Sequence, residues 1–130
     1  MIKHIVMWSV QGEDAAARSR NLALLKAEFE SLRGRVPGLL HLEIGVDESR
    51  IDYACDVVLY SEFASREALA VYAEHPEHLR VKRALGNLRT ARHQVDYAVE
   101  HALDCEPDRE PDREPERERP APGTAAAQAP

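Results

Sequence analysis

Residues 72–78 read YAEHPEH. Tyr72, His75 and His78 are the side chains whose types and spacing most invite a chemical role. Histidine titrates close to neutral pH and can take a proton from a substrate. A tyrosine hydroxyl can donate a hydrogen bond to an oxygen that develops negative charge. His75 and His78 also have a spacing that a metal ion could bridge. Pro76 splits the pair across a helix boundary, however, and no cysteine or carboxylate stands at a familiar distance for tetrahedral zinc. The expectation is therefore no metal and no organic cofactor. A plainer reading competes with chemistry. His78 shares a stripe with Val81, Leu85 and Leu88, and a histidine on such a stripe is more often a packed core residue than a catalyst. His75 stands where a helix cap belongs, and Tyr72 can fill a core with its hydroxyl at the rim.

The surrounding elements must position these residues. Ile2, His4, Val6, Trp8 and Val10 alternate with Lys3, Ile5, Met7 and Ser9, which predicts a strand with bulky apolar groups on both faces. Leu22, Leu25, Phe29 and Leu32 are spaced 3, 4 and 3, the stripe of an amphipathic helix. Asp14 caps it and Gly34 ends it, and Pro37-Gly38 turns the chain. LLHLEIGVDE reads as a second strand, with Leu40, Leu42, Ile44 and Val46 on one face. A short polar loop, SRIDY, leads to the third strand, ACDVVLYSEF, so the two make an antiparallel hairpin. Asp52, Asp56 and Glu62 read as loop or edge charges that discourage aggregation. Ser65 caps a short helix through Ala73. Pro76 lacks an N–H and cannot continue that helix, but it suits the first position of a new one. Gly86 bends or breaks the new helix. RHQVDYAVE closes as a fourth strand, with Val95, Tyr97 and Val99 on one face.

The 130 residues fit one domain with a remainder. From Asp104 onward there are eight acidic and four basic residues, so the tail holds −4 of the net charge of −6. Six of the eight prolines lie there too, in an E-P-[D/E]-R repeat followed by a Pro/Ala stretch. Such a segment has too little apolar surface to offset its ordering entropy. The expected organisation is a folded domain over 1–103 and a disordered acidic Pro-rich tail over 104–130. A near-neutral body with an acidic tail presents no footprint for nucleic acid or an anionic membrane. No apolar run approaches the ~20 residues of a bilayer span, and MIKHIVMWSV lacks the length and cleavage site of a signal peptide. Cys55 falls in a predicted strand and Cys105 at the tail boundary. Free thiols in a cytoplasmic protein are the expectation.

The order β-α-β-β-α-β is that of a ferredoxin-like α+β fold: a four-stranded antiparallel sheet with helices on one face. A sheet face open to water should be polar. Here the first strand is apolar on both sides, and the chain supplies helix for one face only. A second copy placed sheet to sheet about a two-fold axis covers the other face. The expected assembly is a homodimer, a dimeric α+β barrel.

Four segments occur in a telling order: IKHIVMW opening a strand, PGL before the second strand, DVVLYSEFASREALAVYAEHPEH, and a closing VDY. Together they make the chain resemble the stress-responsive α/β barrel (Dabb) domain family over roughly residues 1–100. The resemblance implies a dimeric α+β barrel. The family has few assigned activities. Its members include plant stress-linked proteins and bacterial proteins of unknown role. One plant member, olivetolic acid cyclase, closes a linear polyketide by aldol chemistry without metal or organic cofactor. Similarity to it implies His78 as base and Tyr72 as donor or orienter. In the first turn of a helix the macrodipole would help keep His78 neutral. The Y-x-x-H-P-x-H segment belongs to the wider family, and CDVVLY lacks the further third-strand histidine of the cyclase. Related dimeric α+β barrels include cofactor-independent monooxygenases and haem-degrading enzymes, but no clear haem ligand stands out here. Three functional expectations result: a pocket for a small apolar or aromatic molecule, lined by His4, Trp8, Tyr72, His75 and His78; a cyclase-like enzyme; and a dimeric scaffold without chemistry.

Overall fold

A computed structural model describes residues 1–100. The expected tail, 104–130, and the end of the expected 1–103 domain lie outside the described residues. The elements are β1 (Ile2–Val10), α1 (Ala15–Glu30), β2 (Leu39–Val46), β3 (Val57–Phe63), α2 (Arg66–Glu74), α3 (Pro76–Leu85) and β4 (Arg89–Ala98). The strands form one antiparallel sheet in the order β2-β3-β1-β4. This is the ferredoxin-like arrangement, with the second helical segment broken in two at Pro76.

The helix starts follow from local chemistry. The Asp14 carboxylate accepts from the Ala17 N–H at 2.8 Å, and the Ser65 hydroxyl accepts from the Ala68 N–H at 3.1 Å. His75 ends α2 in an extended conformation, as a residue before proline must. Its Nδ1 then accepts from the Glu77 N–H at 3.0 Å and so caps α3. Gly38 has φ +80, and a Cβ there would come 2.5 Å from that of Ala68. The Pro37-Gly38 turn thus lets the start of α2 pack close against the chain entering β2. Arg80 ties α3 to α1 by reaching Glu28 and Ser31, each at 2.9 Å.

Alternation along β1 sends Ile2, His4, Val6, Trp8 and Val10 beneath the helices. They meet Val57, Leu59 and Phe63 of β3, Leu42 and Ile44 of β2, and Leu25, Phe29, Leu32, Tyr72, Val81 and Leu85 from the helical layer. Full burial of one such aliphatic or aromatic side chain stabilises by roughly 1.5–3 kcal/mol. The other sheet face carries Lys3, Ile5 and Met7 beside their partners Val58, Tyr60, His93, Val95 and Tyr97. Met7 is 39% exposed, Tyr97 45% and Val95 51%, so this apolar face is uncovered in the protomer.

Two bulges depart from simple alternation. In β2 the register shifts between Leu39 and His41. The extra residue, Leu40, therefore leaves the face of Leu42 and Ile44 and is 58% exposed, while Leu39 packs on the core. In β4 the register shifts opposite Trp8, between the pairs Met7–His93 and Ser9–Thr90. Ala91 there adopts the left-handed conformation, φ 50. The strand boundaries move accordingly. β4 begins at Arg89 rather than Arg92, and β3 begins at Val57 rather than Ala54. α1 stops at Glu30, before Gly34. Asp56 is more than an edge charge, because its carboxylate accepts from the Val10 N–H at 2.8 Å. Among the described residues no helix is long and apolar enough to cross a membrane.

Candidate functional site

Between the sheet and the helices lies a cavity of about 560 Å³, within the range of small-molecule sites. β1 contributes His4, Val6 and Trp8 to its wall, α1 contributes Phe29, and β3 contributes Leu59. Leu69 and Tyr72 of α2 and His78 of α3 face it from above, and Arg89, Arg92, Gln94 and Asp96 of β4 close one side.

Tyr72 and His78 are stacked, with ring centroids 4.1 Å apart and planes 29° apart. The break at Pro76 makes this possible, because it lets α3 fold back and set His78 over the last turn of α2. Tyr72 is 3% exposed. Among the described residues its hydroxyl has no hydrogen-bond partner, which is rare for a buried polar group. Burial pushes the hydroxyl well above the usual tyrosine range, against the pull of Arg89 and Arg92. It therefore stays a protonated donor at every ordinary pH. The His78 Nδ1 lies 3.2 Å from the Ala73 carbonyl oxygen. A carbonyl only accepts, so Nδ1 carries the proton and Nε2 keeps its lone pair. Burial lowers the His78 pKa below the ordinary 6.5. The Ala73 carbonyl opposes that shift, and the charges of Lys82 and Arg89 add to it. Near neutral pH His78 is a neutral imidazole with a free nitrogen.

A second histidine sits deeper. His4 is 7% exposed, and its Nδ1 lies 2.6 Å from the Asp96 carboxylate. The other Asp96 oxygen accepts from the Gln94 amide at 3.1 Å, and Gln94 in turn accepts from the Arg92 guanidinium. The His4 ring meets the Tyr72 ring edge-on at 6.1 Å. Asp96 thus fixes which His4 nitrogen bears a proton, and the chain of contacts spans the cavity side of β4.

The cavity is cationic at one end. The Arg89 guanidinium lies 5.0 Å from the Trp8 ring and 5.8 Å from the Phe29 ring, and Arg92 lies 6.0 Å from Trp8. Trp8 and Phe29 are themselves stacked at 5.4 Å. Burial lowers the Arg89 pKa, and the neighbouring Arg92 charge lowers it further.

Four of the five residues expected at a site, His4, Trp8, Tyr72 and His78, come together on this cavity. His75 does not line it; its ring nitrogen is spent on the cap of α3. Arg89, Arg92 and Asp96 went unread in the sequence. The signal for Asp96 was present, since alternation in RHQVDY sets Arg92, Gln94 and Asp96 opposite Val95 and Tyr97. No such signal exists for Arg89. Strict alternation places it with Val95, and only the bulge at Ala91 turns it to the cavity face. Among the described residues no group of three or more His, Cys, Asp or Glu side chains is placed to hold a metal ion.

The model of the stress responsive A/B barrel domain (Dabb) matches residues 2–99. The chain belongs to that family. The resemblance carried by IKHIVMW, PGL and YAEHPEH is borne out, and so is the ferredoxin-like fold. Solved structures agree. A dimeric protein of unknown function with a ferredoxin-like fold from Bacteroides fragilis is 25% identical, with a TM-score of 0.68 over 75% of this chain and 95% of that one. A Dabb family protein from Mesorhizobium loti is 22% identical, with a TM-score of 0.55 over 75% and 95%. A hydroxynitrile lyase from Passiflora edulis is 13% identical, with a TM-score of 0.64 over 77% and 94%. The last two likenesses are of fold alone. A search of curated proteins finds no match.

Proposed function

We propose that this Dabb domain works as a homodimer in which each protomer binds a small, flat, largely apolar molecule in the cavity between sheet and helices. The observation that carries the reading is the Tyr72 hydroxyl, buried on the cavity wall and without a partner among the described residues. A lost hydrogen bond in a buried site costs roughly 1–3 kcal/mol, and a ligand oxygen that accepts from Tyr72 offsets that cost. Val6, Leu59, Leu69 and the Trp8–Phe29 stack supply apolar walls for the rest of the molecule. Trp8 is the chain's one tryptophan, so its emission reports on occupancy. Titration with a panel of small aromatic acids, ketones and phenols should give a saturable change for at least one class. An emission spectrum indifferent to the whole panel contradicts the reading.

Support for the homodimer comes from the uncovered apolar sheet face and from the dimeric Bacteroides fragilis relative. A second copy of this chain has the same apolar face to offer, which is what a two-fold interface requires.

The second reading adds chemistry. Among the described residues nothing engages the His78 Nε2, and the ring stays neutral near pH 7 and stacks on a tyrosine that remains a donor. A base and a donor so placed suit removal of a proton from carbon next to a carbonyl, as in a cofactor-independent, polyketide cyclase-like aldol closure. His78 takes the proton, and the Tyr72 hydroxyl donates to the enolate oxygen that forms. Exchange of the α-protons of a 1,3-diketone in heavy water, followed by NMR, tests it. The wild-type chain should accelerate exchange and His78→Asn should not. Equal rates for the two leave the cavity as a binding site without this chemistry.

A further inference from the structure

Of the five charged side chains around the cavity, four are cations. Arg66, Lys82, Arg89 and Arg92 line it, against one carboxylate, Asp96. This runs against the chain's net charge of −6. Asp96 is also already engaged, with one oxygen on His4 and the other on Gln94. Among the described residues none of the four cations pairs with a carboxylate. For three of them contact with water accounts for this. Arg89 is different because it is half-buried. Its guanidinium is held against the faces of Trp8 and Phe29 and has no hydrogen-bond acceptor among the described residues. Cation–π contact supplies roughly 0.5–2 kcal/mol but satisfies none of the five N–H donors of the group. Buried charges are ordinarily paired.

The backbone is committed to this placement. Ala91, a residue with a Cβ, sits at φ 50 so that the bulge can bring Arg89 onto the same face as Arg92. The left-handed conformation costs roughly 1–2 kcal/mol in a residue other than glycine. Without the bulge Arg89 would join Val95 and Tyr97 on the opposite face. The result is two guanidinium groups beside one aromatic ring, Arg89 at 5.0 Å and Arg92 at 6.0 Å from Trp8.

We infer that Arg89 and Arg92 form an anion subsite that takes the carboxylate of a planar aromatic or conjugated acid, with the body of the acid against Trp8 and its far end toward Tyr72 and His78. The inference rests on the small-molecule reading above and names the class of molecule bound. Guanidinium groups suit a carboxylate because their forked N–H donors match its two oxygens. The aromatic wall suits a flat body directly attached to that carboxylate.

Calorimetric titration of the full chain with 4-butylbenzoate and with its uncharged isostere 4-butylbenzamide tests the subsite. The acid should bind about tenfold tighter or more, as charge-assisted hydrogen bonds imply, and added salt should narrow the gap. Arg89→Gln should bring the acid down to the affinity of the amide and leave the amide unchanged. A merely structural Arg89 would weaken both alike. Equal affinities of the wild-type chain for acid and amide overturn the anion subsite and leave the cavity reading standing. Binding of neither compound at millimolar concentration overturns both. If Arg89→Gln fails to fold, the acid-to-amide ratio of the wild-type chain at low and high salt still decides, because a ratio indifferent to salt contradicts the subsite.

Discussion

The Tyr72 hydroxyl and the His78 ring are set up by opposite means for complementary states. Burial keeps Tyr72 protonated by raising its pKa and keeps His78 unprotonated by lowering its own. The sign of the His78 shift has a consequence for stability. Between its lowered folded value and the ordinary 6.5 the unfolded chain binds more protons than the folded one. His78 therefore makes the fold lose stability as pH falls through that window and restores it above 6.5. Tyr72→Phe separates folding from function at this site. Removing a buried hydroxyl that has no partner among the described residues should leave stability unchanged or raise it by up to about 1 kcal/mol, read from chemical denaturation, while ligand binding weakens. A clear loss of stability in that variant would mean the hydroxyl has a structural partner. His4, Trp8, Tyr72 and His78 were legible as site candidates because strand alternation and the proline break dictate where they point. The unpaired state of Tyr72 was not legible, since it depends on what every neighbouring element leaves vacant.

At the scale of elements, the break between α2 and α3 does the positioning. Pro76 ends one helix and starts the next, and His75 supplies the cap that the new helix needs. His75→Ala should cost about 1 kcal/mol, the usual worth of an N-cap, with ligand affinity little changed because His75 does not line the cavity. A large loss of affinity at unchanged stability would move His75 into the site. Most elements were readable from periodicity and caps: Asp14, Ser65 and Pro76 all mark helix starts where the structure has them. The exceptions share one cause. Leu40 and Arg89 lie at or just beyond bulges, and a single inserted residue reverses the facing of everything past it. No local propensity in LLHLEI or NLRTARH announces such an insertion. It is set by how neighbouring strands must bend over the helices.

At the scale of the molecule, one sheet face is covered by helices and the other is not. Val95 and Ile5 pair across the middle of the open face, so Val95→Glu should place two carboxylates, one from each copy, in a dry interface. Sedimentation should then show a dimer for the parent chain and a monomer for the variant, with the protomer fold retained. A Val95→Glu chain that stays dimeric would locate the interface elsewhere. The open apolar face was legible from the first ten residues, whose two apolar faces demand two coverings. The volume of the cavity was not legible, because it is what remains after α2, α3 and β4 have packed. The central claim, that this volume is a ligand site built around His78, is tested most directly by NMR titration of the His78 ring with and without an aromatic acid. The account predicts that the ring of the free protein titrates below 6.5 and that the bound acid raises its midpoint and shifts its resonances. A ring that titrates at or above 6.5 and ignores every acid offered would contradict it.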